Sequence, residues 1–95
     1  MGYEIRFSRL VREQLRRLPG HIKTVARNQI ASLSENPAPP ESKELSGHPG
    51  YRRLWIGSSH RLVWQVLDEE RAVEIHYIGP KYPDLYEFLS LKRPK

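Results

Sequence analysis

The chain predicts an α+β fold, a two-layer sandwich in which an N-terminal strand and a helical hairpin pack on an antiparallel sheet. Three observations predict it. Apolar residues recur at helical spacing in the first third, three alternating segments follow one another in the second half, and a proline-rich crossing separates the two. A chain of 95 residues holds one core, so residues 1–95 are expected to form a single domain.

"YEIRF", residues 3–7, alternates apolar and polar side chains and reads as the opening strand. Ser8 is a helix N-cap, and in "SRLVREQLRRLPG" Val11, Leu15 and Leu18 return at helical spacing. Arg9, Arg12 and Arg16 fall on another side, which faces water or a partner. Pro19-Gly20 breaks the helix, and "HIKTVARNQIASLSEN" restarts it with Ile22, Ala26, Ile30 and Leu33 on one face. "NPAPPESKELSGHPG", residues 36–50, holds four of the chain's eight prolines and has no period. It reads as a crossing loop anchored in the core by Leu45. Strands are expected over 51–56, 60–67 and 72–78, joined by Gly57-Ser58-Ser59 and Asp68-Glu69-Glu70, both short enough for antiparallel hairpins. A short helix is expected over 83–91, ahead of a basic tail with Lys92, Arg93 and Lys95.

The two-residue period of a strand sorts these side chains between the faces of the sheet. Leu54, Ile56, Leu62, Trp64, Val66, Val73, Ile75 and Tyr77 turn toward the helices. Arg53, Trp55, Arg61, Gln65, Glu74 and His76 share the opposite, open face. Two readings of that face fit the pattern. Guanidinium groups beside an aromatic ring suit RNA, because arginine pairs with phosphate through two parallel hydrogen bonds and the ring stacks on an unpaired base. Alternatively, Arg53 and Arg61 form cross-strand pairs with Glu74 while Trp55 covers the sheet edge.

Composition narrows the chemistry. There are no cysteines, which removes disulfides, thiolate catalysis and cysteine-based zinc sites, and agrees with a reducing compartment. The opening "MGYEIRFSRL" has no apolar run, so neither a secretory leader nor a membrane span is expected. Sixteen Lys and Arg against eleven Asp and Glu give a net charge of +5, which favours a polyanionic partner. His21, His48, His60 and His76 lack metal-ligand spacing, and no phosphate-cradling glycine loop, paired-carboxylate motif or Ser/His/Asp arrangement is present. His60, beside Arg61 at a turn, is the candidate for proton transfer.

The stretch "ELSGHPGYRRLWIGSSHRLVWQVLDEERAVEIHYIGPKYPDLYEFL" resembles the second half of the RelE/ParE superfamily of bacterial toxins, and is more similar to RelE than to ParE. "ELSG" matches a leucine-glycine element before the first sheet strand, and "HRLVWQV" matches a Tyr-Arg-Leu-Val-Tyr strand. An acidic turn, a strand ending in glycine followed by basic residues, and a later tyrosine complete the pattern. The strand and helical hairpin of the first half match in order and length.

The resemblance implies a toxin of a type II toxin–antitoxin pair, located in the cytoplasm and neutralised by a RelB-like antitoxin in a hetero-oligomer. It implies a ribosome-dependent messenger RNA endoribonuclease that needs neither metal nor cofactor. The RNA's own 2′-hydroxyl attacks the adjacent phosphate and leaves a 2′,3′-cyclic phosphate. Carried over by position, Arg61 falls on the sheet arginine that stabilises the transition state, Lys81 on the basic residue after the glycine, and Tyr86 on the C-terminal tyrosine that shuttles a proton or stacks. Arg53, Trp55, His60 and Tyr82 would contact RNA. Trp55 stands where many relatives carry a second cation, and Pro80 where they carry His or Lys, so the site is thinner in charge than a typical RelE site. On the same fold, the alternatives are a ParE-like gyrase inhibitor and a catalytically weak remnant acting only in an antitoxin-bound repressor complex.

Overall fold

The computed structural model describes residues 2–81. In chain order it contains β1 (Glu4–Phe7), α1 (Arg9–Arg16), α2 (Gly20–Leu33), β2 (Lys43–Glu44), β3 (Tyr51–Ile56), β4 (His60–Leu67) and β5 (Ala72–Pro80). The five strands form one sheet in the order β1-β5-β4-β3-β2. The three long strands pair antiparallel, as expected, whereas β1 lies parallel to β5 with Phe7 opposite Ile75. The sheet is therefore mixed. The helix expected over 83–91 lies outside the described residues.

Local chemistry sets the helix boundaries. The Ser8 hydroxyl accepts from the Val11 amide at 3.1 Å, satisfying a donor that the first helical turn leaves open. α1 ends at Arg16, and Pro19 occupies the N-cap of α2, where its missing amide hydrogen costs nothing. Gly20 thus opens the second helix instead of closing the first.

One core lies between the helices and the sheet. Val11, Leu18, Ile22, Ala26, Ile30 and Leu33 from the helical layer meet Ile56, Leu62, Trp64, Val73, Ile75 and Ile78 from the strands. Trp64 is fully buried and donates its indole N–H to the Pro37 carbonyl at 2.9 Å, which ties the proline-rich crossing to the core. The crossing also contains a short edge strand, β2, that its composition did not announce.

Two side chains depart from the expected alternation, for one reason. Val63 pairs with Tyr77 but Trp64 pairs with Ile75, so His76 is an extra residue in β5. This bulge reverses the faces beyond it. Ile78 turns into the helix-side core, and Tyr77 turns to the opposite face, where it packs with Leu45, Tyr51 and Val63. Leu45 consequently anchors a second, smaller cluster and not the main core. Beyond Phe7, no strand among the described residues pairs with β5 on that edge, and the side-chain Oε1 of Gln14 in α1 accepts from the Ile78 amide at 3.1 Å instead.

Candidate nucleic-acid interface

The sheet face turned away from the helices, expected to be open, is closed at its centre, where Leu45, Tyr51, Val63 and Tyr77 are buried together, and it becomes cationic beside the β3–β4 turn. Gly57 has φ of +65° in that turn, a conformation that side chains disfavour. The tight reversal brings Trp55 opposite Arg61, which in turn lies opposite Gly79 of β5. The Arg61 guanidinium stacks on the Trp55 ring, 3.8 Å from its centroid. Arg61 is only 8% exposed, while Trp55 remains 44% exposed. The cation is therefore on the expected face but does not project from it; it lies flat, and the indole replaces part of its lost hydration.

Gly79 matters for what stands in its place. Tyr77 runs along the same face and donates its hydroxyl to the Pro80 carbonyl at 2.6 Å. A Cβ added at Gly79 would come 2.8 Å from that hydroxyl. The tyrosine thus fills the position beside Arg61 and fixes the end of β5. The Lys81 amide then donates to the Ser59 carbonyl at 3.0 Å, which ties the exit of β5 to the β3–β4 turn. His60 lies opposite Pro80 at this end, partly exposed, with its Nδ1 3.1 Å from the Ser59 hydroxyl.

Arg53 lies farther along the face, partly exposed, between Lys43 and Val63 in neighbouring strands. Together with Glu41, Lys43, Trp55 and Arg61 it lines a cleft of about 220 Å³. Glu41 and Lys43 come from the stretch read as a loop. The signal that could have found them is the alternation around Ser42, which is buried within an otherwise polar run. Glu74, the expected ion partner of the arginines, lies opposite Gln65 toward the far end of β4, and its carboxylate approaches His76 Nε2 at 3.3 Å. Gln65 also approaches His76, at 3.4 Å, and the His76 ring centroid lies 5.0 Å from that of Tyr51.

Of the site residues expected from sequence, Arg61 and Trp55 stack at one end of this face with Arg53 beside them and Lys81 just past the end of β5, whereas His60, paired with Ile56, falls on the helix-covered side by strand alternation. Tyr82 and Tyr86 lie outside the described residues. A larger depression of about 400 Å³ lies in the helical layer, where Arg9, Arg12, Arg16 and Arg27 surround Phe7 and Leu15. We place the candidate site on the sheet because the buried arginine, the exposed indole it stacks on and two further cations line one cleft there.

The two-layer α+β fold is shared with solved RelE toxins, and the family assignment rests on the sequence. The sequence profile of the ParE toxin of type II toxin–antitoxin systems (parDE) matches residues 5–81, and the chain belongs to this family within the RelE/ParE superfamily. No curated protein sequence matches it significantly. Among solved structures, the free Escherichia coli RelE toxin with two arginines replaced by alanine superposes with a TM-score of 0.80 at 22% identity, covering 97% of this chain and 98% of that one. The same mutant bound to a peptide of its antitoxin RelB gives 0.75 at 23% identity, with 100% of both chains covered. The RelBE2 toxin–antitoxin complex of Mycobacterium tuberculosis gives 0.70 at 24% identity, covering 85% of this chain and 100% of that one. These likenesses establish a shared fold. The chain is a type II toxin of the RelE/ParE superfamily.

Proposed function

We propose that this toxin, with residues 1–95 as its single domain, is a ribosome-dependent endoribonuclease that cuts messenger RNA and so stops translation. The supporting observation is the stacked Arg61 guanidinium, held beside Trp55 and opposite Gly79, with His60 and Lys81 at the same end of the sheet. In the proposed reaction the 2′-hydroxyl loses its proton and attacks the adjacent phosphorus. The bond to the 5′-oxygen breaks, that oxygen takes a proton, and a 2′,3′-cyclic phosphate remains. Arg61 stabilises the added negative charge of the phosphorane, and its rigid seat means little reorganisation is needed as that charge develops. Lys81 adds a point charge at the strand end. His60 and Tyr86 are the proton-transfer candidates, and Arg53, Trp55 and Tyr82 hold the RNA.

The partner proposed for the resting state is a cognate RelB-like antitoxin in a hetero-oligomer. Structural neighbours include toxin complexes with RelB and a complex of YoeB with YefM. Arg9, Arg12 and Arg16 are exposed on α1 and would attract an acidic segment of it.

The test is induction of the chain in a bacterium, with 5′-end mapping of messenger RNA. Cuts within translated codons, missing from untranslated RNA and from an Arg61→Ala strain, are the expected result. The match to the ParE profile favours one second reading, inhibition of DNA gyrase without nuclease chemistry. Intact messenger RNA with blocked supercoiling would establish it.

A further inference from the structure

The cleft beside Arg61 holds a group that phosphate binding does not require. Glu41 lines it together with three cations, Lys43, Arg53 and Arg61. Its side chain is exposed, and among the described residues none of the ion pairs includes it. Nor is it left there by a slack loop. Ser42, the next residue, is 5% exposed; its hydroxyl donates to the Pro39 carbonyl at 2.7 Å and accepts from Arg52 Nε at 2.8 Å. A second Arg52 nitrogen reaches the Ser42 carbonyl at 3.3 Å. Lys43 then pairs with Arg53 in the sheet. The backbone that carries Glu41 is thus pinned to β3, and Glu41 lines the same cleft as the exposed Trp55 indole.

We infer that this cleft is a nucleobase subsite, with Trp55 as the stacking platform and Glu41 as the reader of the base edge, and that it selects guanine. The inference rests on the reading that the open face receives RNA. Arg61 occupies one face of the Trp55 ring, and the exposed remainder can take a base, giving a cation–indole–base stack. An ionised carboxylate accepts hydrogen bonds and donates none. Guanine presents two adjacent donors, N1–H and the N2 amino group, that match its two oxygens. Adenine, cytosine and uracil each offer fewer donors on that edge and place a lone pair against the carboxylate. Lys43, exposed in the same cleft, supplies positive charge toward a flanking phosphate.

Fluorescence titration of the full chain tests this with four single-stranded RNA pentamers, uridines around a central G, A, C or U. Trp64 is fully buried, so quenching reports stacking on Trp55. The G pentamer is expected to reach half-quenching at roughly tenfold lower concentration than the others, the scale of one good bidentate contact. Glu41→Gln keeps one accepting oxygen but replaces the other with a donating amino group, and should abolish that preference. Glu35→Gln, the same charge change at a site outside the cleft, should keep it. Absence of quenching, equal quenching by all four RNAs, or a preference that survives Glu41→Gln would overturn the subsite. So would a Glu41→Gln protein that tightens on all four equally, because Glu41 would then only tune charge. The nuclease reading fails separately: guanine-selective quenching with uncut messenger RNA retires it and leaves the subsite standing, while cut RNA with base-blind quenching does the reverse.

Discussion

On the helix-covered face of the sheet, Leu62, Trp64, Val73, Ile75 and Ile78 meet apolar partners, and every one is essentially buried. On the opposite face the same strands carry Arg61, Val63, Gln65 and Tyr77, where a buried four-residue cluster gives way to one stacked arginine toward the β3–β4 turn and to His76 beside Gln65. The first face is held by a non-directional force that needs only volume and period. The second depends on specific pairs: a guanidinium on an indole, a hydroxyl on a carbonyl, a missing side chain at Gly79. Substitutions on the first face should therefore cost stability and those on the second function.

The largest expected effect is on the covered face. Trp64→Ala empties the most voluminous fully buried position and strands the Pro37 carbonyl that the indole satisfied. A loss of about 3–5 kcal/mol is expected in urea unfolding, enough to unfold a small domain. A loss under about 1 kcal/mol would mean that the crossing loop and helices re-close over the gap, and that this face is less tightly packed than the structure shows.

Arg61→Ala should separate the two kinds of cost on the open face. If the guanidinium stabilises the phosphorane, single-turnover cleavage should fall by about 2.7–4 kcal/mol of transition-state stabilisation. Arg61→Lys keeps the charge but loses the planar stack on Trp55, and its rate should fall between the two. A folded Arg61→Ala protein with undiminished cleavage would assign Arg61 to packing alone, and the two faces would then do the same work.

Ser8→Ala sharpens the comparison from outside both faces. It removes the acceptor for the Val11 amide at the start of α1 and should cost about 1 kcal/mol of stability, read by thermal unfolding. RNA cleavage at a temperature where the variant is folded should not change.

The same contrast explains what could be read from the sequence. Periodicity identifies residues that share an environment, so the helical stripe Ile22, Ala26, Ile30 and Leu33 and the extents of β3 and β4 were legible. Features set by pairing were not. Parallel docking of β1 on β5 is a tertiary choice that neither segment encodes by itself. The bulge at His76 leaves no mark in composition, yet it exchanges Tyr77 and Ile78 between faces. Arg61 and Trp55 were legible as face-mates because they alternate correctly, but burial of the cation depends on a ring from another strand. Glu41 and Lys43 were hidden in a proline-rich run whose order comes from Arg52, ten positions beyond Ser42 in the chain.

Tyr77→Phe is expected to have an effect of the same small size as Ser8→Ala, and it tests whether the face away from the helices is held by directional contacts. It keeps the ring in the Leu45, Tyr51 and Val63 cluster and removes only the hydroxyl that donates to the Pro80 carbonyl at 2.6 Å. A stability loss of about 0.5–1.5 kcal/mol is expected, the net worth of one such hydrogen bond. The neighbouring Gly79 supplies the second half of a double-mutant cycle. Gly79→Ala in the native background sets a methyl group 2.8 Å from the Tyr77 hydroxyl and should destabilise the protein and disturb the strand end that carries Lys81. With the hydroxyl gone, the nearest obstacle is the ring carbon at 3.1 Å, so the same substitution should cost less. Thermal unfolding of the four proteins measures that coupling. Strict additivity would show that the tyrosine ring moves freely aside, and the fixed exit of β5 would then have to come from the Lys81–Ser59 backbone contact alone.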